Sequence, residues 1–158
     1  MFEGRVVAIY VASAAGAPME PRDEVEAVAG SGLAGDRYAT AAGTYSGTRV
    51  PDAKRAVTLI EREAIDTARA EAGIPLDERE TRRNVVTVGV PLNHLVDRVF
   101  TVGPVRLRGV NLSEPCAYLE GKTRPGVRPA LVHRGGLRAE ILDGATLRLG
   151  DRITPLPA

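Results

Sequence analysis

Val99-Phe-Thr-Val-Gly-Pro-Val-Arg-Leu-Arg-Gly-Val110 is the stretch that decides how this chain folds. Two short runs of strand-forming residues, Val99–Val102 and Val105–Val110, flank Gly103-Pro104. Each run is too short for a stable helix, and Gly-Pro is a turn signal, so the segment reads as a β-hairpin. The same pattern recurs downstream. Leu137–Leu142 and Leu147–Ile153 predict a second hairpin, with turns at Asp143-Gly144 and Gly150-Asp151.

Working outward, further strands are expected at Val6–Val11, a continuous β-branched run, and at Glu24–Val28, which alternates polar and apolar residues. Ala56–Ile60 and Val85–Val88 complete the set. Ala12–Pro21 reads as loop, and Gly30–Gly47 as irregular backbone, with glycines at 30, 32, 35, 43 and 47. One amphipathic helix is expected over Glu61–Ala72, where Ala64, Ile65, Ala68 and Ala72 recur at helical spacing and Gly73 is a stop signal. Leu92–Val96 reads as a single helical turn. Many short strands with one good helix predict a mainly β barrel or sandwich with a few attached helices, not regular βαβ units.

Composition narrows the function classes. The chain has 158 residues, the size of one domain, and neither repeats nor a linker divide it, so residues 1–158 read as a single domain. Twenty-one Lys and Arg against twenty Asp and Glu leave a net charge of +1, which argues against a nucleic-acid binder and against a polybasic membrane surface. Aromatic residues make up only 4%, with no Trp, so the core must rest on Val, Leu, Ile and Ala, and stacking platforms for bases or sugars are not expected. A single cysteine excludes a disulfide framework. Met1–Ser13 holds a short apolar run broken by Glu3 and Arg5, neither signal peptide nor membrane span, and a cytoplasmic location is the expectation.

No Walker loop, Gly-x-Ser-x-Gly, Cys-x-x-Cys or His-Glu-x-x-His occurs, and the two histidines, His94 and His133, are too few for an ordinary zinc site. A lone thiol among cationic segments is what remains. Cys116 follows Ser113-Glu114-Pro115, which suggests a short helix over Cys116–Glu120 whose free N–H groups would favour the thiolate. A thiolate ligates soft metals or carries a transferable sulfur. The competing explanation is an inert buried hydrophobe. Arg82-Arg83-Asn84, His133-Arg134-Gly135-Gly136 and Gly35-Asp36-Arg37 each offer anion-binding groups. They act together only if the fold brings them to one place.

Taken in order, these segments resemble the MOSC domain, named for the carboxy-terminal domain of molybdenum cofactor sulfurases. The resemblance rests on Gly32–Arg37, Ala56–Ile60 with its helix, and Arg83–Val90 with Leu92, Asn93 and Leu95. It continues through Phe100–Gly103, Val105–Leu107, Glu114-Pro-Cys116, His133–Ala139 and Asp143–Ile153, so it runs from about residue 4 to residue 154. It implies a β-barrel like that of pyruvate kinase's small domain, and a molybdenum cofactor (molybdopterin) as the group bound. By position, Cys116 would be the metal ligand and reacting thiol, with Arg82, Arg83 and Asn84 beside the cofactor and Arg37, His133 and Arg134 in matching segments.

Family members include the mitochondrial amidoxime-reducing component and small bacterial reductases of N-hydroxylated compounds. The resemblance therefore implies a reductase with a small-molecule substrate. The chain lacks the pyridoxal-phosphate domain of the sulfurases and the additional amino-terminal domain of the amidoxime reducers, so an external redox partner or sulfur donor protein is expected. Two alternatives stay open at this point: a non-enzymatic sulfur or cofactor carrier using Cys116, and a bare interaction domain whose thiol is only packing.

Overall fold

The structure, a computed structural model, describes residues 2–46 and 51–157. Of the glycine-rich loop, Gly47 lies outside the described residues. The described residues form eleven strands and three α-helices, beginning with β1 (Gly4–Val11), β2 (Glu20–Arg22), β3 (Glu24–Val28), β4 (Gly32–Leu33), β5 (Val57–Glu61), α1 (Arg62–Ala72) and β6 (Val85–Val88). Then come β7 (Val99–Val102), β8 (Val105–Leu112), α2 (Ala117–Lys122), α3 (Val127–Ala130), β9 (Leu137–Asp143), β10 (Ala145–Arg148) and β11 (Arg152–Pro155). Short 3-10 turns cover Ala53–Arg55, Glu78–Thr81 and Leu92–Leu95.

Seven strands close on themselves in the order β11-β7-β8-β9-β5-β6-β1, with β1 pairing back to β11. The expected mainly β barrel with a few helices is the fold. Closure removes the exposed edges that an open sheet must protect. β2 hangs on the free side of β1, and β10-β3-β4 form a small separate sheet. Every barrel pairing is antiparallel except β5–β6. A parallel pair needs a crossover, and α1 supplies it.

The barrel interior is filled by aliphatic side chains with one large aromatic, Phe100. Alternation along the strands sorts the residues. Ile9, Leu59 and Val85 join the inner cluster, while their neighbours Tyr10, Ile60 and Val86 join a second one. That second cluster contains Ile65 and Ala68 of α1, Leu119 of α2, and Val127 and Leu131 at α3. Gly73 closes α1 in a left-handed conformation, its N–H donating to the Arg69 carbonyl at 2.9 Å.

The Gly103-Pro104 hairpin forms as expected, with Val102 opposite Val105 and Phe100 opposite Leu107. The second expected hairpin does not. β9 pairs with β5 and β8, β10 leaves to pair with β3, and β11 returns to β7 and β1. One close approach and one turn explain the split. At Gly144 a Cβ would stand 2.4 Å from the Ala27 carbonyl oxygen, so the β3 backbone takes hold of the chain immediately after β9. At Gly150-Asp151 the chain turns again, with the Asp151 amide donating to the Arg148 carbonyl at 3.2 Å.

The site owes its position to strand polarity. β1 and β8 end where β5, β6 and β9 begin, as the pairings Ile9–Val85, Leu59–Val85, Leu59–Leu137 and Leu112–Leu137 show. That end of the barrel receives the Ala12–Pro18, Asp36–Ser46 and Ser113–Cys116 segments.

Candidate functional site

A cleft of about 300 Å³ opens at this end, at the lower limit of small-molecule sites. Arg37, Arg55, Arg82, Arg83 and Arg138 line it together with Tyr38, Tyr45, Thr58, Leu112, Ser113, Glu114 and Cys116.

Its floor is a buried polar hub. Asp36 is fully buried and accepts from the amides of Ala12 (3.1 Å) and Tyr38 (3.2 Å), the Asn84 side-chain amide (3.2 Å) and the Arg37 guanidinium (3.0 Å). Asn84 turns its oxygen to the Thr58 amide and hydroxyl, at 3.1 and 3.2 Å, and its nitrogen to Asp36 and the Tyr10 carbonyl. It ties β1 to β5 and is 2% exposed. A buried carboxylate and guanidinium tolerate desolvation only when paired and fully hydrogen-bonded, which is what this network provides. Arg37 reaches the cleft from above the hub, its guanidinium 4.9 Å from the centre of the Tyr38 ring.

Arg83 is a clamp. Its three nitrogens donate to the carbonyls of Gly135 (2.7 Å), Ser113 (2.8 Å) and Thr81 (3.2 Å), binding the segments before Cys116 and before β9 to the start of β6. Burial, and then the repulsion of Arg138, pull its guanidinium down to about 10, so it remains charged at neutral pH. Arg82 behaves differently. Its Nη1 donates to the Ala17 carbonyl at 2.9 Å, while Nη2 is buried with no partner among the described residues. Burial and the charge of Arg37 lower its pKa as well.

Cys116 is half-buried in the cleft wall and occupies the N-cap of α2. Pro115 therefore precedes the cap and lies outside the first turn. Burial raises the thiol pKa, but the Tyr45 hydroxyl, 3.0 Å from Sγ, opposes it. The amides of Leu119 and Tyr118 and the Arg83 charge add to that opposition, and the net shift is downward. Tyr45 shifts the other way, through the same hydrogen bond first and burial second.

Opposite, Arg138 donates to Asn111 at 2.8 Å, and its pKa is lowered by burial and then by Arg55. Arg55 lies 5.5 Å from the Tyr45 ring centre and 3.9 Å from the Asp52 carboxylate. Glu114 is the carboxylate in the lining, and it is engaged by His133 through Nδ1 at 2.9 Å and the amide at 2.7 Å. Five arginines against this one carboxylate leave the wall predominantly cationic.

Of the residues singled out in the sequence, Arg37, Arg82, Arg83 and Cys116 come together at the cleft. Asn84 lies beneath it, with its side chain engaged inside the protein. His133 is largely exposed and reaches the cleft only through Glu114. Arg134 points away, donating to Glu71 and to the Ala130 carbonyl, both at 2.7 Å. The sequence reasoning missed Arg55 and Arg138, and it missed Tyr38 and Tyr45, half of the four tyrosines in an aromatic-poor chain. Only the neighbourhood of Tyr38 to Arg37 hinted at any of them.

Among the described residues, no three His, Cys, Asp or Glu side chains gather to hold a metal ion. No described helix is long and apolar enough to cross a membrane.

The backbone superposes on solved structures of low sequence identity. YuaD from Bacillus subtilis matches with a TM-score of 0.78 and 18% identity over 97% of both chains. YiiM from Geobacillus stearothermophilus gives 0.72 and 13%, covering 98% of this chain and 75% of that one. YiiM from Escherichia coli gives 0.67 and 15%, covering 98% and 70%. At these identities the likeness establishes the fold alone. No curated protein matches in sequence. The MOSC domain model, however, matches residues 33–154, which span the clamp, the hub and the thiol, and the chain belongs to the MOSC domain family.

Proposed function

We propose that the cleft binds a molybdenum cofactor and that the protein reduces N-hydroxylated small molecules with electrons from an external donor protein. The observation that supports this most is Cys116, a thiol shifted toward the thiolate, set in a wall of five arginines.

The residues fit such a group. Arg82 offers a buried, unpartnered Nη2, and Arg55 and Arg138 have donors to spare for an anionic phosphate. Cys116 offers a single soft ligand, and with no other metal-binding cluster among the described residues the remaining ligands would come with the cofactor. When bound, the cofactor would supply a two-electron centre for cleaving an N–O bond.

The chain's own groups have separable tasks. Arg83 fixes the Ser113 carbonyl and thereby the seat of Cys116. Tyr45, its proton held more tightly than in a free phenol, donates to the sulfur and limits its exposure to water. Asp36 and Asn84 hold Arg37 in place, leaving Arg82, Arg55 and Arg138 to meet the anion.

Metal analysis of protein purified from a molybdopterin-producing host tests this. Near-stoichiometric molybdenum in the wild type and little in Cys116→Ala is expected, and background molybdenum in both would refute it. A second function, carriage of sulfur on Cys116, is favoured by the half-exposed position of the thiol. It predicts a mass gain of one sulfur atom at Cys116 after incubation with a cysteine desulfurase.

A further inference from the structure

We infer that a second anion site lies outside the Cys116 cleft, in a groove of about 330 Å³ between the Gly16–Met19 loop, the Glu78–Thr81 turn and the end of α2, and that it takes the phosphoryl group of a small molecule.

Three cations line the groove: Arg79, Arg82 and Lys122. Among the described residues, no carboxylate lies within salt-bridge distance of any of them. The one acidic lining residue, Glu80, is already neutralised. Arg124 donates to both of its oxygens at 2.8 Å, and the Asp77 amide donates at 2.9 Å. Arg79 lies 5.8 Å from the Tyr10 ring centre, a contact that orients a guanidinium without cancelling its charge. The Lys122 ammonium stands over Gly16, where a Cβ would come within 3.4 Å of Nζ.

Arg82 is the third of these cations and is common to both sites. It forms the wall shared by cleft and groove, and its Nη2 is buried without an acceptor. With Nη1 held by the Ala17 carbonyl, Arg82 brings the groove a fixed positive charge that no carboxylate contacts among the described residues. Two guanidinium forks and an ammonium suit an anion with several oxygens, a phosphoryl group before a carboxylate. The groove stands as a site whether or not the cleft binds a cofactor. Its phosphoryl group has two possible sources, a free phosphorylated molecule or a cofactor reaching over Arg82.

Titration of the full chain with inorganic pyrophosphate, followed by the amide NMR shifts of Gly16 and Thr123, tests the inference. Saturable shifts at both amides are expected. Replacing Arg79 and Lys122 with Gln together should weaken the apparent affinity there by at least about tenfold. Replacing Arg55 and Arg138 with Gln removes the same charge from the cleft and should change it by no more than about twofold. Shifts that do not saturate, or that respond equally to both pairs, would overturn the site. Repeating the titration on protein from hosts with and without molybdopterin synthesis separates the sources. Retention in both preparations marks a free ligand, and loss only in the molybdopterin-producing host marks the cofactor's own phosphate.

Discussion

The barrel interior and the floor of the cleft are both buried, yet they are built by opposite means. Inside the barrel, Phe100, Leu107, Ile141 and Ile153 are nearly inaccessible and are held by packing that follows the two-residue alternation of the strands. At the floor, Asp36, Arg37, Asn84 and Thr58 are held by directed hydrogen bonds between segments far apart in the chain. Packing tolerates a change of shape by partial collapse, whereas a hydrogen-bonded hub loses several partners when one member goes. The contrast is open to direct measurement.

The largest expected effects come from one substitution in each region. Phe100→Ala should cost about 3–5 kcal/mol, through lost transfer energy and the cavity left behind. Asp36→Ala should cost a similar amount, about 3–5 kcal/mol, because it leaves the buried Arg37 guanidinium without its counter-charge and takes an acceptor from the Ala12 and Tyr38 amides and the Asn84 side chain. Urea unfolding of both variants checks this. An Asp36→Ala loss below about 1 kcal/mol would mean that water replaces the hub and that the floor is not a second structural centre.

A middle-sized effect concerns the thiol that the floor and clamp position. The hydrogen bond from Tyr45 favours the thiolate, so the alkylation rate of Cys116 in cofactor-free protein should rise with pH around a midpoint below that of an ordinary cysteine. Tyr45→Phe removes that donor, which raises the thiol pKa and moves the midpoint to higher pH. Unfolding should be nearly unaffected, since Tyr45 is exposed. An unmoved midpoint would assign the shift to the Leu119 and Tyr118 amides and to Arg83.

These two regions also differ in how far the sequence disclosed them. The barrel is legible because its signals are local: strand-forming runs at Val99–Val102 and Val105–Val110, a turn at Gly103-Pro104, a helix stripe over Ala64, Ile65, Ala68 and Ala72. The split of Leu137–Ile153 into three strands was not legible, because it depends on the β3 backbone passing Gly144, a contact more than a hundred residues away in sequence. In the cleft, Cys116 and Arg82-Arg83 were found as an isolated thiol and an adjacent pair of charges. Asn84 is expected beside the cofactor because it adjoins them, but at the bend just before β6 its side chain turns inward to Thr58 and the Tyr10 carbonyl. Arg55 and Arg138 have no local signal at all, and only barrel closure brings them to Cys116.

The smallest expected effect compares two arginines on neighbouring strands. Arg106 on β8 meets Asp143 at the surface, an exposed pair that contributes at most about 1 kcal/mol. Arg138 on β9 faces Arg55, and both burial and that charge disfavour its cationic form. Arg106→Gln should therefore lower stability slightly. Arg138→Gln should leave it unchanged or raise it, because glutamine still reaches hydrogen-bonding groups while the repulsion disappears. Salt sharpens the test. Screening weakens the attraction at Arg106 and the repulsion at Arg138 alike, so the two variants should converge on the wild type in 1 M salt, where the Debye length is about 3 Å. A larger loss from Arg138→Gln than from Arg106→Gln at low salt would mean that the Arg138–Asn111 bond outweighs the crowding of charge. The cleft wall would then be held together by the very cations that are free to meet an anion.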